Sequence, residues 1–450
     1  MTAPAPSQPA APLSADDVIH ALHLEITDDL RSAWRDHWAD STATYDPDHI
    51  PFLSPAWLSN TCESIGLSEP VRAALHEALP GINHDPAMKR LAWHLHRRLI
   101  HDTDDRHISD VVESPSLPDH LGPAGALFYA FVTLSGFDAL RQTYRERGID
   151  DVVRRDTLMD FDLWMHDWRK RHGRWTMASI SWLSRHFTAR IFALGRLQYE
   201  IVRDLLPDYR FFRHVTTQQA VALAGPGMVF RADGQCDGAN TIFDPEGRWT
   251  AEYHINADAI IGHSIHPRGF AERRPITLDA HHWREIVLKH DHMLSVHIPE
   301  GGPISPDACT QAFEQSARFF PRHFPELQWN AYVCWSWLMD CQLEDDLPDD
   351  ANITRFLQEF YVLPTPNAND AQTFERVFGH DFTVDRLDDA PQHTSLQRVI
   401  ASHLKRGGNW RDAVGVILRD DLNWGQRVYR NQWPIATVDG EYRPAMPPAT

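Results

Sequence analysis

The chain has 450 residues, 42% of them apolar, with 16 tryptophans and a formal net charge of −19. That length exceeds one ordinary domain and supplies apolar surface for two or three sizeable cores. The acidic balance repels phosphate backbones and speaks against nucleic-acid binding, while five scattered cysteines without a Cys-x-x-Cys pair fit free thiols in a reducing cytoplasm better than a disulfide framework or a zinc knuckle.

In chain order, residues 1–13 are rich in Pro and Ala and lack a basic start, so they read as a disordered leader, not a signal peptide. Asp28 is positioned to cap a helix from Asp29 to Ala39, with Leu30, Ala33, Trp34 and Trp38 on one face. Ser54-Pro55 is a second start signal, with proline at the first helical position. Helical patterns follow over Ala87–Leu99, Ala124–Arg147, Asp151–Met165 and Trp175–Phe187. The apolar stretch Leu121–Phe137 contains Gly122, Pro123, Gly125 and Gly136 and is short for a membrane span, so it is expected to be a buried helix. Residues 14–190 therefore read as an all-helical domain.

From about Ile191 the texture changes to short apolar runs split by Gly, Pro, Asp and Asn. Strands are expected over Leu194–Val202, Met228–Arg231, Thr250–Asn256, Met293–Ile298 and Asn330–Trp335. Helices are expected over Leu278–Leu288, Pro306–Phe324, Ala351–Phe360 and Ser395–Lys405, the last ended by Gly407-Gly408. The order gives an α+β chain: an all-helical N-terminal domain, then an α/β domain over 191–435, then a tail at 436–450.

Between the expected strand at Met293 and the helix at Pro306 lies His297-Ile298-Pro299-Glu300-Gly301-Gly302-Pro303-Ile304-Ser305. Alternation puts Leu294, Val296 and Ile298 on one strand face and Ser295 and His297 on the other. The glycines permit a tight turn and a close backbone approach, and Ser305 can cap the helix. A strand, a glycine loop and a helix N-terminus suit an anion such as phosphate, and they equally suit a plain strand-to-helix turn. Glu300 and Asp307 add negative charge there.

The stretches LGRLQYE (Leu194–Glu200), GHSIHPRG (Gly262–Gly269), LSVHIPEGGPIS (Leu294–Ser305), FFPRHFPE (Phe319–Glu326), CWSWLMD (Cys334–Asp340), ANITRF (Ala351–Phe356) and TSLQR (Thr394–Arg398) stand in order over about half the chain. With them the region resembles the GNAT-like C-terminal domain of bacterial acyltransferase domain-containing proteins, and the helical half resembles the N-acyltransferase N-terminal domain that accompanies it. The resemblance implies a GNAT-like fold with a mixed central sheet, in which a strand, loop and helix hold the pyrophosphate of an acyl-CoA co-substrate. The local counterpart is Val296–Ile304, with Ile298, Gly301, Gly302, Ile304 and Ser305 as cofactor-binding candidates. The family loop commonly has an Arg or Gln and a Gly-x-Gly or Gly-x-Ala; here it reads Pro-Glu-Gly-Gly-Pro.

Acyl transfer needs a base for the nucleophile, a donor for the oxyanion and a partner for the departing thiolate. His297 is the first candidate base, because imidazole exchanges protons near neutral pH. Cys334 and Ser336 share a strand face and can protonate the thiolate, and Cys334 can alternatively act as a covalent nucleophile with His297 as its base. Glu200 is a second carboxylate base or an amine binder. Asn352 and Arg355 begin the next helix, where Arg355 can meet a phosphate. His263, His266 and Arg268 can line an acceptor pocket, and the acidic run Glu344–Asp350 can attract a cationic amine or simply be a solvated loop. No zinc spacing, serine-hydrolase elbow or phosphate-binding Gly-Lys loop is present, so no metal is expected. The expected function is acyl transfer from a CoA thioester to a small amine or hydroxyl acceptor by direct attack, with no nucleic-acid or membrane partner. The alternative is a non-catalytic GNAT-like ligand-binding or regulatory protein.

Overall fold

A computed structural model describes residues 13–101, 115–177, 180–203, 206–287, 290–380, 382–433, 435–438 and 440–442. The leader expected over residues 1–13, except Leu13, and the tail beyond residue 442 lie outside them. The chain divides into two compact units, residues 1–193 and 194–450.

The first unit is helical: α1 (Ala15–Ala21), α2 (Asp28–Ala43), α3 (Pro55–Ile65), α4 (Glu69–His84), α5 (Pro86–His101), α6 (Gly122–Ala126), α7 (Phe128–Leu134), α8 (Phe137–Glu146), α9 (Asp151–His172) and α10 (Ser181–Phe187). Starts follow local chemistry. The Ser54 hydroxyl accepts from Trp57 N and Pro55 takes the first turn of α3. At α2 the cap is Thr27, not Asp28: the Thr27 hydroxyl accepts from Leu30 N, and Asp28 becomes the first helical residue. The buried face of α2 carries Leu30, Trp34 and Trp38. The single helix expected over Ala124–Arg147 is three short ones, α6, α7 and α8, broken at Leu127 and at Ser135-Gly136. Every residue of α7 is buried, so the apolar stretch is core of this unit. The span Asp119–Glu146 is long and apolar enough to cross a membrane, yet 78% of its most apolar window is inside the structure.

The second unit holds two large sheets. Its strands, counting β1 (Ile191–Leu194) at the boundary between the units, are β1, β2 (Leu197–Val202), β3 (Tyr209–His214), β4 (Ala220–Ala224), β5 (Val229–Phe230), β6 (Trp249–Thr250), β7 (Tyr253–Ile255), β8 (Ala259–Gly262) and β9 (Ser264–His266). They continue as β10 (Phe270–Ala271), β11 (Ile276–Asp279), β12 (Trp283–Val287), β13 (His292–His297), β14 (Trp329–Ser336), β15 (Tyr361–Leu363), β16 (Ala413–Leu418), β17 (Ile435–Thr437) and β18 (Gly440–Tyr442). The main sheet has six strands in the order β1-β2-β13-β14-β16-β15, and the second has five in the order β10-β9-β4-β3-β12. The main sheet is mixed: β13 is parallel to β14 and antiparallel to β2.

One helix and the second sheet cover the two faces of the main sheet. On one face of the main sheet Tyr332 of β14 meets Phe313 and Ser316 of α11 (Pro306–His323). On the other face Met293, Ala331, Val333, Val414 and Val416 share a buried cluster with Tyr209, Phe211, Ala222 and Ile265 of the second sheet. The helices after β14, α12 (Leu343–Asp346) and α13 (Asn352–Gln358), close the return to β15.

Three expectations change. Leu194–Val202 is a hairpin, not one strand, because Gly195 takes φ +66° at its turn. Leu278–Leu288 is not a helix. Within it, β11 pairs with β8 and β12 with β3, and the Asp279 carboxylate accepts from His281 N to turn the chain between them. The strand expected over Thr250–Asn256 is interrupted, ending β6 at Thr250 and restarting β7 at Tyr253.

Candidate active site

The parallel ladder between β13 and β14 runs from His292↔Trp329 to Ser295↔Val333. On their outer sides the two strands stay paired further, β13 to His297↔Gln198 on β2 and β14 to Ser336↔Ala413 on β16. The main sheet therefore opens between Val296-His297 and Cys334-Ser336 while remaining intact on either side. The facing edges past Ser295 and Val333 present backbone N–H and C=O groups to the wedge. Such groups can pair with an amide-bearing chain laid along them, as an added strand does.

Register decides which side chains share a face of this wedge. Partners across a ladder point the same way, and successive residues alternate. Gln198, Glu200, Ser295 and His297 therefore lie on one side, and Leu294, Val296, Tyr332, Cys334 and Ser336 on the other. On the first side the Glu200 carboxylate sits 3.0 Å from His297 Nε2. Glu200 is buried, at 8% side-chain exposure, whereas His297 keeps 28%. Gln198, directly opposite His297, is also buried, and its amide oxygen has no hydrogen-bond partner among the described residues.

After His297 the loop runs to Ser305, whose hydroxyl accepts from Ala308 N at 3.3 Å and starts α11. Gly301 has φ +137°, a conformation L side chains rarely adopt. Gly301, Gly302 and Pro303 are exposed, and Ile304 is buried under them. A strand, an exposed two-glycine loop and a capped helix N-terminus thus sit at the mouth of a splayed parallel pair.

Residues 191–417 match the family described as the GNAT-like C-terminal domain, and residues 57–189 match the N-acyltransferase N-terminal domain. The chain belongs to this two-domain acyltransferase family. Two similar solved structures are an acyltransferase in complex with decanoyl-CoA and teicoplanin, TM-score 0.62, and an acyltransferase mutant in complex with octanoyl-CoA, TM-score 0.61. Each is 22% identical, with the match spanning 90% of this chain and 99% of the other, a likeness that establishes the fold. No curated protein matches the chain.

The acyltransferase's candidate residues fall into three groups. Glu200 and His297 come together, as described. Ile298, Gly301, Gly302, Ile304 and Ser305 form the loop. The others are elsewhere. Cys334 is buried on the far face from His297, so the pairing of the two as nucleophile and base is not formed. Burial pushes its thiol up to about 12. The Ser336 hydroxyl accepts from Leu338 N at 3.2 Å and caps a short turn. Asn352 is the first residue of α13, after the cap Ala351, and Arg355 is exposed in its last turn.

A direct consequence concerns Cys334. Cys334→Ala is expected to keep turnover within about twofold and to cost about 1 kcal/mol of stability, the scale of a small core truncation. The native thiol is expected to resist iodoacetamide at pH 8 and to react once the protein is unfolded. The raised thiol pKa stabilises the fold below the ordinary value of 9.0 and loses that contribution as pH climbs towards 12. Loss of turnover in the alanine variant would restore the covalent route.

The polar stretches expected at an acceptor pocket are spent internally. The His266 ring stacks on Phe270, with centroids 4.5 Å apart, and burial followed by Arg430 and Arg268 depresses its pKa to about 3. Arg268 pairs with Asp345 at 2.7 Å. His263 Nδ1 faces the Glu272 carbonyl. Within the acidic run, Glu344 pairs with Arg430 and Asp346 with Arg406 and His403, so the run pins α12 to its neighbours. Among the described residues no group of three His, Cys, Asp or Glu side chains is set to hold a metal.

Two site residues escaped the sequence reading although they stood in the quoted stretch LGRLQYE. Gln198 alternates with Leu197 and Tyr199, so it shares the Glu200 face of β2, whereas Arg196 stands in the turn before β2 begins. That alternation was the available signal for Gln198.

Proposed function

We propose that the second unit binds an acyl-CoA across the β13–β14 wedge and transfers its acyl group directly to an amine, or to a hydroxyl, of a small-molecule acceptor. The His297–Glu200 contact at the mouth of the wedge carries this reading. Its logic is that of a base held by a carboxylate. Glu200 accepts the Nε2–H of His297 and so holds the imidazole that takes a proton from the attacking nitrogen. A C–N bond forms as the C–S bond breaks, and the thiolate leaves with a proton from solvent or from the imidazolium. Backbone N–H groups along the wedge steady the oxyanion. The solved neighbours bind acyl-CoA, and one binds teicoplanin as well. That supports the donor class and leaves an amine or hydroxyl compound as the acceptor class. The cysteines are free, four of them buried, which fits a reducing compartment such as the cytoplasm.

The test is calorimetric titration with acetyl-, octanoyl- and decanoyl-CoA, followed by turnover of each against a panel of amines and alcohols. Binding together with CoA release is expected. Binding without turnover of any acceptor would favour a non-catalytic ligand-binding protein. Gly302→Val localises the site. A Cβ there meets no atom within 4 Å and φ is not positive, so the fold is expected to stand. Acyl-CoA affinity is expected to fall about tenfold or more, on the order of 1.4 kcal/mol. Unchanged affinity would remove the loop from the binding site.

A further inference from the structure

The phosphate loop lacks the cationic or amide residue common in its family and carries Glu300 instead. Arg196 stands in the β1–β2 turn, four residues before Glu200. Its Nε donates to the Gly302 carbonyl at 2.7 Å and its Nη1 to the Pro299 carbonyl at 2.9 Å. The turn is pressed against α11: a Cβ on Gly195 would lie 3.6 Å from Ala312. Arg196 is thus wedged where the hairpin, the loop and the first helical turns meet.

Two consequences follow from elementary chemistry. A trans peptide points its C=O and N–H in opposite directions, so drawing the Pro299 carbonyl towards Arg196 aims the Glu300 N–H away from it, out of the loop. The guanidinium also remains without a countercharge. Among the described residues no carboxylate pairs with it, and its Nη2 makes no protein hydrogen bond. A half-buried cation that braces a loop with two of its nitrogens keeps a third for an anion.

We propose that Arg196 is the positioning residue for the CoA pyrophosphate: it holds the loop's carbonyls inward and supplies, from the neighbouring hairpin, the positive charge that the loop itself does not contain. The proposal rests on the acyl-CoA reading above.

The test compares Arg196→Met with the wild type on three thioesters of one acyl chain: acyl-CoA, acyl-dephospho-CoA, which keeps the pyrophosphate, and acyl-pantetheine, which has no phosphate. The expected result is a rise in KM of about ten- to a hundredfold for the first two, the scale of a charge-assisted hydrogen bond. The KM for acyl-pantetheine and kcat for all three are expected to stay within about twofold. Arg196→Lys is expected to recover part of the loss through its charge. An equal loss on all three donors would make Arg196 a purely structural brace. A loss confined to acyl-CoA would assign it to the 3′-phosphate, and no loss at all would remove it from the site; each outcome overturns the proposal. If the wild type itself binds no CoA thioester, the functional reading fails before Arg196 is tested.

Discussion

His297→Gln is expected to lower kcat by about 10²–10⁴-fold while leaving acyl-CoA affinity within about twofold. Glutamine nearly preserves the volume, so the strand end and the adjoining loop keep their geometry. What it removes is the ability to accept a proton at neutral pH. Glu200→Gln is expected to cost about 10²-fold or more, because the amide no longer fixes the imidazole tautomer. The two losses should not add. A residue that acts only through another contributes nothing once that other is gone, so the double variant is expected to match His297→Gln. Single-turnover kinetics with saturating acyl-CoA separates this from a binding defect. Full single-turnover rate in His297→Gln would discard the dyad and leave attack by an already neutral amine, assisted only by the wedge backbone.

The parts of this site that were legible in the sequence are the locally encoded ones. β13 shows itself by the alternation of Leu294, Val296 and Ile298. α11 shows itself by the Ser305-Pro306 start signal, whose hydroxyl does cap the helix. The loop between them follows from these two boundaries. The Glu200–His297 contact has no such local signature, because the two residues are 97 positions apart and meet only through the antiparallel register that sets Ser295 opposite Glu200. Both were candidates as single residues; their union, and the separation of His297 from Cys334, are properties of the pairing. The same reason explains Leu278–Leu288. Its apolar positions fit a helix when read alone, but β8 and β3 supply ladders on which Ile276–Asp279 and Trp283–Val287 become strands. Sheet propensity depends on partners that a local window does not contain.

The second sheet, largely unforeseen, bears on the site through one tyrosine. Tyr361 of β15 in the main sheet donates its hydroxyl hydrogen to the Ile265 carbonyl and accepts from Ala222 N at 3.2 Å, and both partners belong to the second sheet. Its ring packs edge-on against Phe211 and Tyr429, with centroids 5.4 Å from each. Tyr361→Phe is expected to destabilise the protein by about 1–3 kcal/mol, since it deprives a buried N–H and a buried C=O of their partner. Tyr361→Ala is expected to cost about 3–5 kcal/mol by adding a cavity the size of the ring. The urea midpoint with the slope held constant measures both. An effect of Tyr361→Phe below about 0.5 kcal/mol would show that the hydroxyl tie adds nothing beyond the ring. The alanine variant is also expected to lose turnover before it unfolds. Val333, which pairs with Ser295 in the last rung of the parallel ladder, and Met293, two residues before Ser295, lie in the same buried cluster as Tyr361. Loosening that cluster frees the strand ends whose fixed divergence forms the wedge, and a base must be held within hydrogen-bond reach of its proton to act.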